Sequence, residues 1–184
     1  MINSVNAYSA PQTGDAAAFK AASTAERTGE YPDSNLVVEF YNTNLGNYFM
    51  TADANEAAQI DGGSAGPSWT RTGNTFKSGG STAVCRFYGT PGRGPNSHFY
   101  TVNASECAAI KQDPGWTLEG IAFYLFAPVN GQCGINQQPV YRLYNNRFAQ
   151  SDSNHRYTTD PNLYAQMQTQ GWSPEGIVFC APAP

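Results

Sequence analysis

Three degenerate copies of one short unit occupy most of this chain, and this repetition limits its fold more than any other feature. An aromatic strand pattern occurs three times, over 38–42, 85–89 and 141–145. A loop and a second aromatic strand that ends in threonine follow each time, over 47–51, 98–101 and 155–158. Repetition of this kind predicts a fold in which one structural unit is used three times.

A short helix is expected next in each copy, because an Asx residue stands two positions after the threonine. Asp53, Asn103 and Asp160 are strong helix N-caps, since their side-chain oxygens accept hydrogen bonds from the first turn. Glu56 and Glu106, three positions further on, predict capping boxes in the first two copies. The helices are expected over 54–60, 104–112 and 161–170.

A tryptophan and a closing strand complete each copy. The tryptophans are Trp69, Trp116 and Trp172, and the closing strands are expected over 73–77, 120–124 and 176–180. One such unit cannot bury both faces of its sheet alone, so the copies must share a core. The tryptophans are either part of that core or platforms on which sugar rings stack.

These patterns predict a single mainly β domain with short helices over residues 36–184. Its three internal repeats are placed near 36–83, 84–139 and 140–184. The expected arrangement is pseudo-threefold and β-trefoil-like, and the alternative is a linear stack of three repeats. Residues 1–35 fit no repeat and are expected to form an N-terminal arm or linker, with a helix near 16–26.

The charge pattern argues against two classes of partner. Only 13% of the residues are charged, the net charge is −4, and the basic residues are scattered. A nucleic-acid partner is therefore not expected, because phosphate binding needs a basic stripe. No run of eighteen apolar residues occurs, so no membrane-spanning helix is expected.

The four cysteines indicate two disulfides and an extracellular, oxidising compartment. Of the three possible pairings we favour Cys85 with Cys107, inside the second repeat, and Cys133 with Cys180, which ties the third repeat to the preceding linker. Four free thiols in a cytoplasmic protein are the alternative. No cysteines form a Cys-x-x-Cys pair and the chain has two histidines, so neither a metal site nor a cofactor is expected.

The repeated pattern of strand aromatics, His-Phe-Tyr-Thr, Gly-Trp and Glu-Gly resembles a known but uncharacterised tandem-repeat domain. The segments that carry the resemblance are 84–88, 97–101, 106–107, 115–116 and 119–124, with 140–180 similar to the same degree. The resemblance covers about residues 36–182. It implies a secreted bacterial accessory module that attaches lytic enzymes or other hydrolases to cell wall or polysaccharide, and it supplies no catalytic residues.

Seven polar or aromatic residues are candidate ligand contacts: His98, His155, Asn47, Tyr88, Tyr144, Arg93 and Asp152. His98, His155 and Asn47 share one repeat position, where the alternative role is a hydrogen bond to the next loop. Tyr88 and Tyr144 are expected to be exposed. Arg93 and Asp152 lie in long polar loops, where binding sites often occur.

Charged residues at two repeat positions predict an ion pair inside each copy. Arg86 and Glu119 form the expected pair of the second copy, and Arg142 and Glu175 that of the third. In the first copy the charges are exchanged, with Glu39 at the first position and Arg71 beside the second. The alternative, a catalytic carboxylate pair of Glu119 and Glu175, is disfavoured because one position recurs in separate copies.

The predicted function is therefore a secreted, non-catalytic binding module whose partner is a polysaccharide or cell-wall glycan. Residues 62–66 have the letters of a nucleophile elbow but lack the strand before and the helix after that such an elbow needs. The alternative function is a structural or protein-interaction module of a larger extracellular assembly, with a protein as partner.

Overall fold

A computed structural model describes residues 36–184, which form three three-stranded antiparallel sheets with one short α-helix each. The first repeat contains β1 (Leu36–Asn42), β2 (Asn47–Thr51), α1 (Ala54–Asp61) and β3 (Trp69–Lys77). The second contains β4 (Thr82–Gly89), β5 (His98–Thr101), α2 (Ala104–Ile110) and β6 (Trp116–Leu125). The third contains β7 (Gln137–Tyr144), a 3-10 turn (Phe148–Gln150), β8 (His155–Thr158), α3 (Pro161–Thr169) and β9 (Ser173–Pro182). The predicted mainly β fold with short helices is confirmed; the predicted arm and the helix near 16–26 lie outside the described residues.

Each repeat has the same sheet topology, with its first strand in the centre. The strand orders are β2-β1-β3, β5-β4-β6 and β8-β7-β9. The closing strands begin at or beside the tryptophans, a few residues earlier than the sequence predicts. The predicted starts, Gly73, Gly120 and Gly176, instead have positive φ and lie where the pairing with the central strand shifts register. Glycine tolerates this backbone conformation, so here it marks a bulge inside the strand.

The helices begin where the Asx residues predict. The Oδ1 atoms of Asp53, Asn103 and Asp160 accept hydrogen bonds from first-turn N–H groups. The predicted capping boxes are wrong, because threonine hydroxyls accept the cap N–H groups, at Thr51 for Asp53 and Thr101 for Asn103. The glutamates that would complete the boxes bind arginines of the following repeat instead.

Tyrosine hydroxyls join successive repeats in the shared core. The hydroxyl of Tyr100 accepts a hydrogen bond from the Met50 N–H at 2.9 Å and donates to the Met50 carbonyl at 2.8 Å. Tyr157 makes the same two bonds with the backbone of Tyr100, both at 2.9 Å. The first repeat has Met50 at this position. These side chains belong to one apolar cluster that draws residues from all three sheets.

A second set of hydrogen bonds runs from each repeat to the next and returns to the first. The side chain at the start of β2, β5 or β8 donates to a backbone carbonyl of the following repeat: Asn47 to Asn96, Ser97 to Ser153, and Asn154 to Gly46. The first and third repeats are therefore in direct contact, which a linear stack does not allow. The three sheets close on one another, and the β-trefoil arrangement stays a prediction.

Replacing Tyr100 with phenylalanine is expected to lower the free energy of unfolding by about 2 kcal/mol, because a buried N–H and a buried carbonyl lose their shared partner. Guanidinium denaturation would measure the loss. Tyr141→Phe is the matched control, since the Tyr141 ring stacks on Tyr164 at 4.6 Å and is half-buried. Equal losses in the two variants would contradict a specific role for the Tyr100 hydroxyl.

Two disulfides hold the second and third repeats. Cys85 on β4 is bonded to Cys107 on α2, and Cys133 in the linker before β7 is bonded to Cys180 on β9. These are the two pairs that the sequence favours. The second bond fixes the long connection between β6 and β7 to the closing strand of the chain.

Candidate ligand pocket between the first two repeats

A pocket of about 290 Å³ opens where the first two repeats meet. One wall is the turn between β1 and β2, a second is the segment 65–69 that leads into β3, and the third comes from β4, β5 and the loop between them. Amide side chains are supplied by Asn42, Asn44, Asn47 and Asn96. The remaining side chains are aliphatic or aromatic: Leu45, Ala65, Pro67, Trp69, Tyr88 and His98.

In each repeat the loop that follows the central strand is bonded to the residue before the tryptophan. The β1–β2 turn, 43–46, is short and closes with Gly46 at a φ of 73°. In the second repeat the longer loop 90–97 folds back, and the Thr90 N–H donates to the Gly115 carbonyl at 2.8 Å. In the third repeat the Asn146 amide donates to the Gly171 carbonyl at 3.1 Å. The short first turn makes the same kind of bond, since the Thr43 N–H donates to the Ser68 carbonyl at 2.9 Å.

The three tryptophans are half-buried, so each belongs partly to the core and partly to the surface. Trp69 packs edge-on against Phe49 with ring centroids 6.2 Å apart, and Trp116 packs against Phe99 at 6.0 Å. Trp69 also lines the pocket. The sequence posed core and ligand platform as alternatives, and the position of Trp69 is compatible with both.

Three of the seven predicted ligand contacts, Asn47, Tyr88 and His98, meet in this pocket. Tyr88 is only 7% exposed, so the expectation of an exposed side chain is wrong there, and Tyr144 is half-buried. Each tyrosine ring packs on the histidine of its own repeat with centroids 4.9 Å apart, which explains the burial. The Tyr88 hydroxyl donates to Asn96 Oδ1 at 2.5 Å.

The other predicted contacts lie elsewhere. Tyr144 and His155 are together in the third repeat, away from the pocket lining. Arg93 is exposed in the loop 90–97. Asp152 accepts a hydrogen bond from Arg147 at 2.6 Å in the loop before β8. The loop residues that sequence reasoning missed, Asn44 and Leu45, could have been found from the shortness of the turn in the first copy.

The two histidines are buried and neutral. His98 Nε2 lies 3.4 Å from Glu119 Oε2, and His155 Nε2 lies 3.5 Å from Glu175 Oε2. Burial, reinforced by the charge of Arg86, lowers the pKa of His98 well below its ordinary value. Burial, with Arg142 nearby, lowers the pKa of His155 to about 3. Both rings therefore serve as uncharged packing groups at neutral pH.

The arginines of the second and third repeats bind more carboxylates than the sequence predicts. Arg86 lies 2.8 Å from the expected Glu119 and also 2.9 Å from Glu56 of the preceding helix. Arg142 lies 2.7 Å from Glu175, and its second partner is Glu106 of the preceding helix at 3.1 Å. Each arginine thus joins its own closing strand to the neighbouring repeat.

The predicted ion pair of the first repeat is wrong. Arg71 binds Asp61 at 2.8 Å, and Glu39 binds Arg156 of the third repeat at 2.9 Å. Thr72 occupies the closing-strand position that is glutamate in the other copies, and its hydroxyl donates to Glu39 at 2.7 Å. The reversed ion pair therefore joins Glu39 of the first repeat to Arg156 of the third. Sequence comparison within one copy cannot detect a pair between two copies.

The folded protein is expected to lose stability as the pH falls from about 6.5 toward about 3, because unfolded histidine binds a proton that folded His155 excludes. Each such histidine contributes a slope of up to about 1.4 kcal/mol per pH unit. Burial raises the pKa of Glu119, which stabilises the folded protein as the pH falls and so opposes the effect of the histidines. Comparing a single His155 variant with the parent protein therefore isolates the contribution of His155. His155→Asn, which copies Asn47 of the first repeat, should flatten the dependence in guanidinium unfolding followed over this range. An unchanged slope would mean that His155 takes up a proton in the folded state.

Two structural findings concern other site types. Within residues 36–184, no group of three or more His, Cys, Asp or Glu side chains is placed to hold a metal ion. None of the helices in that range has the length and apolar character needed to cross a membrane.

The fold and pocket define a disulfide-bonded β-repeat domain with a ligand-sized cavity at a repeat junction. The chain belongs to the family described as a domain of unknown function, DUF5648, whose model matches residues 6–126 and, overlapping, residues 37–182. Two overlapping matches of one model are in keeping with internal repetition. No curated protein and no solved structure matches the chain significantly.

Proposed function

We propose that this protein is a non-catalytic carbohydrate-binding module whose site is the pocket between the first two repeats. The observation that carries the proposal is the position of Trp69, half-buried and lining a pocket beside several asparagine amides. Aromatic faces stack on the apolar faces of sugar rings, and amides bond sugar hydroxyls through both donors and acceptors. The volume lies near the lower end for small-molecule sites, roughly 300 Å³, and suits a short glycan segment.

The proposal of a non-catalytic role is supported by the state of the two carboxylates that might form an acid–base pair. Glu119 is bound to Arg86 and Glu175 to Arg142, in separate repeats. Residues 62–66 follow α1 directly and lead through a turn to β3, so the strand before a nucleophile elbow is not present at this place in the fold.

We also propose that the module is secreted and attaches to a cell-envelope or other extracellular polysaccharide. Two disulfides in a chain of 184 residues support an oxidising compartment. A low charge density also favours a neutral partner over a phosphate-rich one.

Trp69→Ala is expected to weaken glycan binding about thirtyfold or more, the loss typical of removing a central aromatic anchor. A glycan array on the oxidised protein identifies the probe, and titration calorimetry measures the affinity. Trp116→Ala is the matched control, because Trp116 packs on Phe99 as Trp69 packs on Phe49 but lies at another junction. The control should bind like the parent protein, and unchanged binding by Trp69→Ala would remove the pocket from consideration.

The second proposal is a protein-interaction module of a larger extracellular assembly. It is favoured by exposed apolar side chains on the connection between β6 and β7, where Val129 is 73% and Ile135 94% exposed. Isolated exposed residues of this kind are common, so this proposal ranks below the first. If the array detects no glycan, Ile135→Ser becomes the variant with which to test protein partners.

A further inference from the structure

The pocket has no charge on its lining, which limits the ligand to a neutral group. None of the described residues that line it is Asp, Glu, Lys or Arg. Tyr88 and His98 are its two titratable side chains, and burial raises the pKa of Tyr88 to about 12 while it lowers that of His98. Both are therefore neutral at physiological pH. A carboxylate or phosphate that entered would lose water without gaining a counter-charge, which is costly.

The asparagine side chains of the pocket differ in how many hydrogen bonds they already make within the protein. Asn42 is buried and already bonded within the protein, since its Oδ1 accepts the N–H groups of Asn44 and Leu45, and its amide nitrogen donates to the Pro67 carbonyl. Asn96 Oδ1 accepts the Tyr88 hydroxyl. Asn44 is exposed at the tip of the short turn, so its side-chain amide is accessible to a ligand at the pocket.

The combination of an accessible amide and an aliphatic wall matches one substituent found on neutral sugars. Leu45, Ala65 and Pro67 form an apolar surface beside Asn44 and Trp69. An acetamido group presents a methyl group for such a surface, together with an N–H and a carbonyl for the amide of Asn44. A neutral sugar that has a hydroxyl group in place of the acetamido group has no methyl group to bury.

We infer that the pocket selects an N-acetylated amino sugar, with the acetamido group held between Asn44 and the aliphatic wall and the sugar ring on Trp69. This inference rests on the carbohydrate-binding function proposed above. It adds the chemical feature by which the site would distinguish one neutral glycan from another.

The test compares N-acetylated chitotriose with cellotriose, which differ in the acetamido or hydroxyl group at C2. Calorimetry on the oxidised full chain should give at least about tenfold tighter binding of chitotriose, as expected for one hydrogen bond and a buried methyl group. Asn44→Ala should lower the chitotriose affinity about tenfold and leave cellotriose binding nearly unchanged. Asn162→Ala, an exposed asparagine in the first turn of α3, is the control and should change neither.

The outcomes separate this inference from the function on which it rests. Equal or tighter binding of cellotriose would overturn acetamido recognition and leave a carbohydrate site in place. Loss of binding to both sugars in Asn44→Ala would overturn the assigned role of Asn44. No binding of any glycan would refute the proposed function itself. Release of the protein from purified peptidoglycan by free chitotriose would identify the wall glycan as a source of the group, and failure to bind peptidoglycan while chitotriose still binds would point to chitin-type chains.

Discussion

Arg86→Met is expected to destabilise the protein by about 3–5 kcal/mol, the largest effect of any single substitution considered for this fold. The Arg86 side chain is 1% exposed, and its carboxylate partners Glu56 and Glu119 are 4% and 6% exposed. Removing the guanidinium leaves two buried carboxylates close together with no counter-charge. The guanidinium also lies over the Phe49 ring at 5.2 Å, and that contact is lost as well.

Arg142→Met is the matched control, because it removes the same side chain from the same repeat position. Its partners Glu106 and Glu175 are 33% and 30% exposed, so water can solvate them after the substitution. We expect a loss of about 1–2 kcal/mol, between the values for exposed and buried pairs. Chemical denaturation at neutral pH measures both variants. Equal losses would show that burial does not determine the strength of these networks.

Removing the Cys133–Cys180 disulfide, by replacing both cysteines with alanine, is expected to lower stability by about 4 kcal/mol. The bond joins residues 47 positions apart, and the cross-link restricts the unfolded chain more as the enclosed loop lengthens. It also holds the β6–β7 connection against the last strand. The unfolding midpoint of the double variant would be compared with that of the parent protein, both kept oxidised.

The Cys85–Cys107 bond supplies the comparison. It joins residues 22 positions apart, so the same reasoning predicts a loss of about 3 kcal/mol for the corresponding alanine pair. The two losses should therefore differ by roughly 1 kcal/mol, with the longer loop the more sensitive. A larger loss from the shorter loop would indicate that native packing around Cys107, rather than loop closure, sets the contribution of each bond.

The local structure was predictable from sequence because its signals are short-range. The N-caps Asp53, Asn103 and Asp160 act within one helical turn, so a residue type at a fixed spacing predicts them. Strand identity follows from aromatic patterns a few residues long. The two cysteine pairs could be favoured because the repeats themselves show which segments lie close together.

Two of the errors, at Glu56 and Glu39, concern contacts between repeats. Glu56 fits a capping box locally, but Arg86 of the next repeat is a stronger partner in a buried site, where a charge needs a counter-charge. Glu39 likewise binds Arg156, a residue 117 positions away. Comparison of one copy with another shows which positions are equivalent but not which copy faces which. The pocket was missed for the same reason, since two repeats form its walls.

The reversed pair of Glu39 and Arg156 has a consequence for how many copies this chain can hold. At the first two junctions an arginine on the later repeat meets a helix glutamate, whereas the third helix has Leu163 at that position. A fourth copy resembling the second, inserted after the third, would place its Arg86 equivalent beside Leu163 and Arg156, without a carboxylate from that helix. Recombination that adds a copy is therefore disfavoured electrostatically, while a circular permutation cut between copies preserves every junction. The charged residues at the junctions thus favour three copies of the repeat over four.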